Sequence, residues 1–269
     1  MLTSTTIMSE TSNQNSHDAQ RRYIAIGDIH GQLQQLDEML ARLTSSYATD
    51  KVQFIFLGDY IDRGPDSRGV IERLIKFAVE YPSTVFLRGN HEQLFLDALH
   101  EMQTVVENPD DCSSLETFHW LQNGGLDTLR SYGTEDLERI PNLLPAEHLA
   151  FIQNTLFEFD AGHLYFVHAG VVPPDLTWNG ANEGLDARLW IREPFLSYKS
   201  SLNDKIVVFG HTPQATGRPL VHRNKIGIDT GAVYGGPLTA VAISIRTPSN
   251  GRHVHPIFHQ IAAKLSPTP

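Results

Sequence analysis

A chain of 269 residues with 41% hydrophobic, 19% charged and 9% aromatic side chains has enough apolar surface for a packed core, which excludes wholesale disorder. Its 21 basic and 31 acidic residues give a formal charge of −10, which excludes a broad basic surface for phosphate backbones, so no nucleic-acid partner is expected. No apolar run approaches the roughly 18 residues needed to span a bilayer, so no membrane partner is expected. The lone Cys112 excludes an intramolecular disulfide and suits a reducing, cytoplasmic setting.

Residues 1–20 are rich in Ser, Thr, Asn and Gln and read as a disordered leader, and residues 21–260 read as one domain. Tyr23–Ile26 predicts a strand that enters Gly27-Asp28-Ile29-His30-Gly31; Leu33, Leu36, Leu40 and Leu43 then recur at helical spacing. The same order returns twice. Val52–Leu57 leads into Gly58-Asp59-Tyr60-Ile61-Asp62-Arg63-Gly64 and a stripe of Val70, Leu74 and Phe77, and Val85–Leu87 leads into Arg88-Gly89-Asn90-His91-Glu92 and another helix. Residues 101–155 are more polar and mixed and predict a helical insertion or cap. Strands resume at Leu164–Val167 before His168-Ala169-Gly170, at Ile206–Phe209 before Gly210-His211-Thr212, and at Lys225–Ile228 before Asp229-Thr230-Gly231, with a final strand at Leu238–Ile245. Strand–helix alternation followed by a strand-rich half predicts an α/β fold: two packed mixed β-sheets flanked by helices.

Asp28, His30, Asp59, Asn90, His168 and His211 each follow an apolar run directly. Taken singly, each is ordinary turn chemistry; six such residues in five matching contexts point to a shared site. Carboxylate, amide oxygen and imidazole suit Mn²⁺, Fe or Zn²⁺, and the lack of thiolates argues against softer metals. A central carboxylate such as Asp59 is suited to bridging two cations about 3.5 to 4 Å apart, a device used for hydrolysing phosphate esters. Two such cations acidify a shared water and screen the phosphate's charge, and an arginine fork suits phosphoryl oxygens.

In this order the motifs GDIHG, GDYIDRG, GNHE, HAG and GHT resemble those of the PPP-type metal-dependent serine/threonine protein phosphatases, the bacterial and phage members above all, within the calcineurin-like metallophosphoesterase superfamily. The resemblance covers residues 23–245 and includes Trp120, Asn123-Gly124-Gly125 and Ser131-Tyr132-Gly133. It implies two divalent metal ions, expected to be Mn²⁺. Asp28, His30 and Asp59 would hold the first, and Asp59, Asn90, His168 and His211 the second. It also implies His91 as general acid oriented by Asp62, and phosphate held by Arg63, with Arg192 in Leu189–Glu193 as the match for a second arginine. Asn90 stands beside the substrate as well as the metal.

The implied reaction is direct attack of metal-activated water on the phosphorus of a phosphorylated protein or peptide. The Asp229–Gly236 tail also resembles the symmetric dinucleoside tetraphosphate hydrolases, but Asp62 and Glu92 favour the protein phosphatases. An inactive scaffold of the same fold would be expected to have lost ligands or the general acid, and none is missing. Tyr234 is a candidate for the place of the active-site tyrosine of the eukaryotic enzymes. Arg88, Asp66 and Glu92 read as supporting residues. Cys112 has no basic neighbours in sequence, and His253, His255 and His259, expected beyond the last strand, receive no role.

Overall fold

The computed structural model describes residues 22–47, 52–107, 115–246 and 253–262. The expected leader and Cys112 lie outside them.

The first half follows the repeated strand–turn–helix order. Strand β1 (Arg22–Ile26) leads to helix α1 (Leu33–Tyr47), β2 (Val52–Phe56) to α2 (Ser67–Glu80), and β3 (Val85–Phe86) to α3 (Asn90–Glu107). Helix α1 buries Leu36, Met39, Leu40 and Leu43, the stripe expected of a one-sided helix. At the start of α2 the Asp66 carboxylate accepts from the Gly69 N–H at 2.7 Å, satisfying one of the helix's free donors. Thus Asp66 is a helix cap.

Among the described residues of the 101–155 stretch most are helical. Helix α3 runs through the expected boundary to Glu107, and α4 (Leu115–Trp120), α5 (Leu126–Ser131), α6 (Ile140–Leu143) and α7 (Ala146–Gln153) follow. The chain kinks between α4 and α5 at Gly124, whose φ of 105° is open to glycine.

The second half contributes β4 (Glu158–Asp160), β5 (Leu164–Val167), α8 (Ala187–Trp190), β6 (Ile206–Phe209), β7 (Leu220–His222), β8 (Lys225–Gly227), β9 (Leu238–Arg246) and β10 (His253–Ile261). Two five-stranded sheets result, ordered β10-β9-β1-β2-β3 and β4-β5-β6-β8-β7. Both are mixed: β1, β2 and β3 run parallel, as do β5, β6 and β8, while β9, β10, β4 and β7 join antiparallel. The placement of His253, His255 and His259 beyond the last strand is corrected by β10. Pro256 weakens the strand pattern there, but β10 is an edge strand, where a missing N–H costs no ladder bond.

Alternation along β1 shows how the layers meet. Ile24 and Ile26 pack toward the helices with Leu36, Leu40 and Leu74, whereas Ala25 faces the other sheet with Leu57, Val208, Ile228 and Val241. A third cluster, including Ile191, Phe195, Leu202 and Phe209, covers the outer face of the second sheet. The parallel strands of each sheet deliver their carboxyl-end loops to the same end of that sheet, the usual location of sites in open α/β sheets.

Candidate metal centre

The strand-end turns bring the expected residues together. His30 Nε2 lies 3.3 Å from Asp59 Oδ2, and His168 Nε2 lies 3.3 Å from Asp59 Oδ1, so Asp59 stands between two imidazoles. Asn90 Oδ1 is 3.0 Å from His168 Nε2 and 2.9 Å from His211 Nδ1. Asp28 joins through its Oδ2, which accepts the His211 N–H at 2.9 Å. His30, Asp59 and His91, and again Asp59, His168 and His211, offer ligand atoms within 4.8 Å of one another. All six expected ligands are buried.

Backbone conformation makes this convergence possible. His30, Asp59, Asp62, Arg63 and His211 all have positive φ, between 44° and 71°, a region non-glycine residues occupy sparingly. Such strain persists only where surrounding contacts over-determine it. Glu92 is one source of that constraint: buried at the start of α3, it accepts from the N–H groups of Asp59 at 2.9 Å, Tyr60 at 2.8 Å and Gly89 at 2.8 Å. One carboxylate therefore ties the second turn to the third. At Gly89 the requirement is space, because a β-carbon there would overlap Asp59 Oδ1.

The donor set fits two divalent cations. His30 Nδ1 donates to the Ile61 carbonyl and His168 Nδ1 to the Leu57 carbonyl, both at 2.8 Å, which turns each Nε2 toward the site where a metal would sit. Asp28 Oδ1, His91 Nε2 and His211 Nε2 are buried without hydrogen-bond partners, a costly state unless another group satisfies them. Burial pushes His168 and His211 below the ordinary imidazole range, His211 also under the charges of His168 and Arg192, and so favours the neutral, ligating form. Burial pushes Asp59 upward, but His168, His91 and His30 outweigh it and hold the carboxyl well below its usual range. Asp28 is pushed the other way, by burial and then by Asp229 and Asp59. Cationic charge would relieve that repulsion.

His91 differs from the other imidazoles. Its Nδ1 donates to Asp62 Oδ2 at 2.8 Å, and its Nε2 is 4.0 Å from Asp59 Oδ2. Asp62 is wholly buried; its carboxylate also accepts from Trp120 Nε1 at 3.0 and 3.1 Å and from Thr128 Oγ1 at 2.6 Å. The helical insertion thus fixes the partner of His91. Burial lowers the His91 pKa, while Asp59 and Asp62 oppose that shift by favouring the imidazolium.

Arg63 is half-buried with its Nη1 3.2 Å from His30 Nε2, and its backbone N–H donates to Gly124 O at 3.2 Å. Arg192 is exposed, near enough for its charge to depress His211, and the preceding Trp190 has its ring centroid 6.2 Å from that of His211. Tyr234 is 65% exposed between Gly231 and Gly235, both left-handed. Arg88 donates to Thr155 Oγ1 and to the Gln153 carbonyl, which anchors the third turn to the segment after α7. His259 Nε2 sits 2.7 Å from the Tyr47 hydroxyl.

Sequence reasoning missed Thr128 and Asp229. Burial pushes Asp229 up to about 6; it lies near Asp28 and accepts the Gly231 N–H at 3.0 Å. Its position directly after an apolar strand was the available signal.

The profile of the calcineurin-like phosphoesterases matches residues 21–235. This chain belongs to that family. The phosphoesterase is 30% identical to serine/threonine-protein phosphatase 1 of Salmonella typhimurium, over 83% of this chain and 92% of that one. It is 28% identical to the asymmetrical bis(5'-nucleosyl)-tetraphosphatase PrpE of Halalkalibacterium halodurans, over 80% of this chain and 87% of that one. Among solved structures, a protein serine/threonine phosphatase from Saccharomyces cerevisiae superposes with a TM-score of 0.56 at 14% identity, covering 94% of this chain and 83% of that one, a likeness of fold. The phosphoesterase is a metal-dependent phosphoric-ester hydrolase with a centre suited to two metals. Among the described residues no helix is long and apolar enough to cross a membrane.

Proposed function

We propose that the phosphoesterase is a phosphomonoesterase acting on phosphoserine and phosphothreonine in proteins, with Mn²⁺ in both metal positions. The observation that carries this reading is the buried His91–Asp62 pair, clamped by Trp120 and Thr128. A serine alkoxide is a strongly basic leaving group and gains much from proton donation, whereas the phosphate leaving from a tetraphosphate gains less. An enzyme specialised for the latter would have less use for so heavily supported an imidazole.

Two divalent cations held by Asp28, His30, Asp59, Asn90, His168 and His211 would supply acidified water and charge neutralisation. Arg63 and Arg192 hold phosphoryl oxygens. His91, as imidazolium, delivers the Nε2 proton to the seryl oxygen as the P–O bond breaks, and Asp62 stabilises that charged form. The product alcohol leaves neutral.

A second reading, hydrolysis of dinucleoside tetraphosphates, is favoured by the relatives named for it and by the Asp229–Gly236 tail. Those relatives are named asymmetrical, whereas the tail by itself suggested symmetric cleavage. Metal-reconstituted protein assayed in parallel on phosphoseryl and phosphothreonyl peptides and on diadenosine tetraphosphate decides between them. Higher kcat/KM on the peptides is the expected result; a preference for the nucleotide would overturn the first reading.

A further inference from the structure

The second sheet carries a cationic cleft at the end away from the metal centre. The metal ligand His211 follows the carboxyl end of β6, while the cleft, about 680 Å³ in volume, opens at Ile206, where β6 begins. Three residue steps of roughly 3.3 Å make the strand alone about 10 Å long, so the two sites do not overlap. Lys199, Lys205 and Arg223 line the cleft together with the hydroxyl-bearing Ser200 and Ser201.

The arrangement is prebuilt. Asn224, at the β7–β8 turn, is buried and donates through Nδ2 to the carbonyls of Tyr198 at 3.2 Å and Ser200 at 2.7 Å, fastening the Lys199 segment to the turn that bears Arg223. Behind it Lys225 is wholly buried, its Nζ donating to the Phe195 and Leu196 carbonyls and lying 4.4 Å from the Phe195 ring centroid.

The positive charge of this cleft is incompletely answered. Among the described residues Arg223 and Lys199 form no salt bridge, and Lys199 Nζ instead sits 3.1 Å from His222 Nε2. Lys205 is paired with Asp160. The one carboxylate lining the cleft, Asp204, is turned into its own loop, where Oδ1 accepts from the Ser201 hydroxyl at 3.1 Å. Burial and then the Lys199 charge bring Lys225 down to about 8, and burial, Lys199 and Lys225 lower His222. In a chain of net charge −10 such a cluster opposes the overall field.

We propose that this cleft binds a phosphoryl oxyanion, as inorganic phosphate or as a phosphorylated side chain, at a site separate from the metal centre. Arg223 offers a planar fork, Lys199 an ammonium and Ser200 a neutral hydroxyl donor, a combination matched to tetrahedral oxygens. Bound oxyanion would relieve the repulsion among the cations. The inference is independent of which phosphoric ester the enzyme hydrolyses.

The test is titration of the isotope-labelled protein, loaded with diamagnetic Zn²⁺, with inorganic phosphate at constant ionic strength, reading the backbone amides of Ser200, Ser201 and Asn224 by NMR. Saturable shifts are expected there, weakened at least tenfold in the K199A/R223A double variant. Turnover of nitrophenyl phosphate by that variant should stay unchanged. A parallel titration with a peptide carrying a non-hydrolysable phosphonate in place of phosphoserine, and with its unmodified counterpart, identifies the source: tighter binding of the phosphonopeptide than of phosphate assigns the cleft to a modified side chain, and equal or weaker binding to the free ion. Shifts that do not saturate, or that persist undiminished in the double variant, overturn the proposal. The variant's unchanged turnover also separates its failure from any failure at the metal centre.

Discussion

Replacing Asp62 by Asn tests the proton-transfer half of the mechanism with almost no change of shape. In the native protein Oδ1 accepts from Thr128 Oγ1 and shares the Trp120 Nε1 donor with Oδ2, and Oδ2 also accepts from His91 Nδ1. An amide has one oxygen. Because the indole N–H can only donate, the amide oxygen is best placed toward Trp120 and Thr128, and the NH₂ group then faces His91. His91 must give up the proton on Nδ1 and accept instead, becoming a neutral imidazole protonated on Nε2, a far weaker acid than the imidazolium that Asp62 supports. A hydrogen bond to a charged partner is worth about 1.5–3 kcal/mol, and at about 1.4 kcal/mol per decade this predicts roughly a 10- to 100-fold loss of turnover. The loss should fall on a phosphoseryl peptide and be much smaller on nitrophenyl phosphate, whose leaving group needs little protonation. Both kcat/KM values are to be measured on protein whose metal content is determined by elemental analysis. Equal losses on the two substrates with both metals retained would refute the general-acid role of His91; loss of a metal would make His91 a ligand.

Chelation should abolish activity and Mn²⁺ should restore it best, with Asp59→Asn losing more bound metal than any other single-ligand variant if both cations share that carboxylate; metal content and activity measured together check this. Arg63→Ala and Arg192→Ala should each raise the inhibition constant of inorganic phosphate about tenfold or more at unchanged metal content, and an unchanged constant removes that arginine from the site. Gly89→Ala should reduce metal content without unfolding the protein, since the added carbon meets Asp59 Oδ1; full metal occupancy in a folded variant would contradict the packing argument. Burial lowers the pKa of His148, whose Nδ1 is 2.8 Å from the Tyr132 hydroxyl. The unfolded chain then binds the proton more tightly, so this contribution to stability is whole above the ordinary value of 6.5 and is lost as pH falls below it. In urea unfolding, His148→Asn should show a shallower loss of stability between pH 7 and 5 than the parent.

The turns that converge on the candidate metal centre were legible in the sequence because the information is local. Asp28, Asp59, Asn90, His168 and His211 each stand just past a short apolar run, and a run of that kind fixes both the strand and the place where its loop begins. The two-sheet architecture followed from the order of those runs. What the sequence alone left undetermined depends on contacts between distant positions. Trp120 and Thr128 reach Asp62 from 58 and 66 residues away, and nothing in their own neighbourhoods marks them as partners of a carboxylate. Asp229 becomes a neighbour of Asp28 only when the two sheets pack face to face. Strand β10, interrupted by Pro256, is a strand because β9 offers it an open edge. The cationic cleft likewise exists only after Asn224 fastens the Lys199 segment to the turn bearing Arg223. Local alternation of apolar and turn residues decides where a side chain leaves a strand; the packing of sheets and helices decides which side chains then share a desolvated space, and there hydrogen bonds and charges act most strongly.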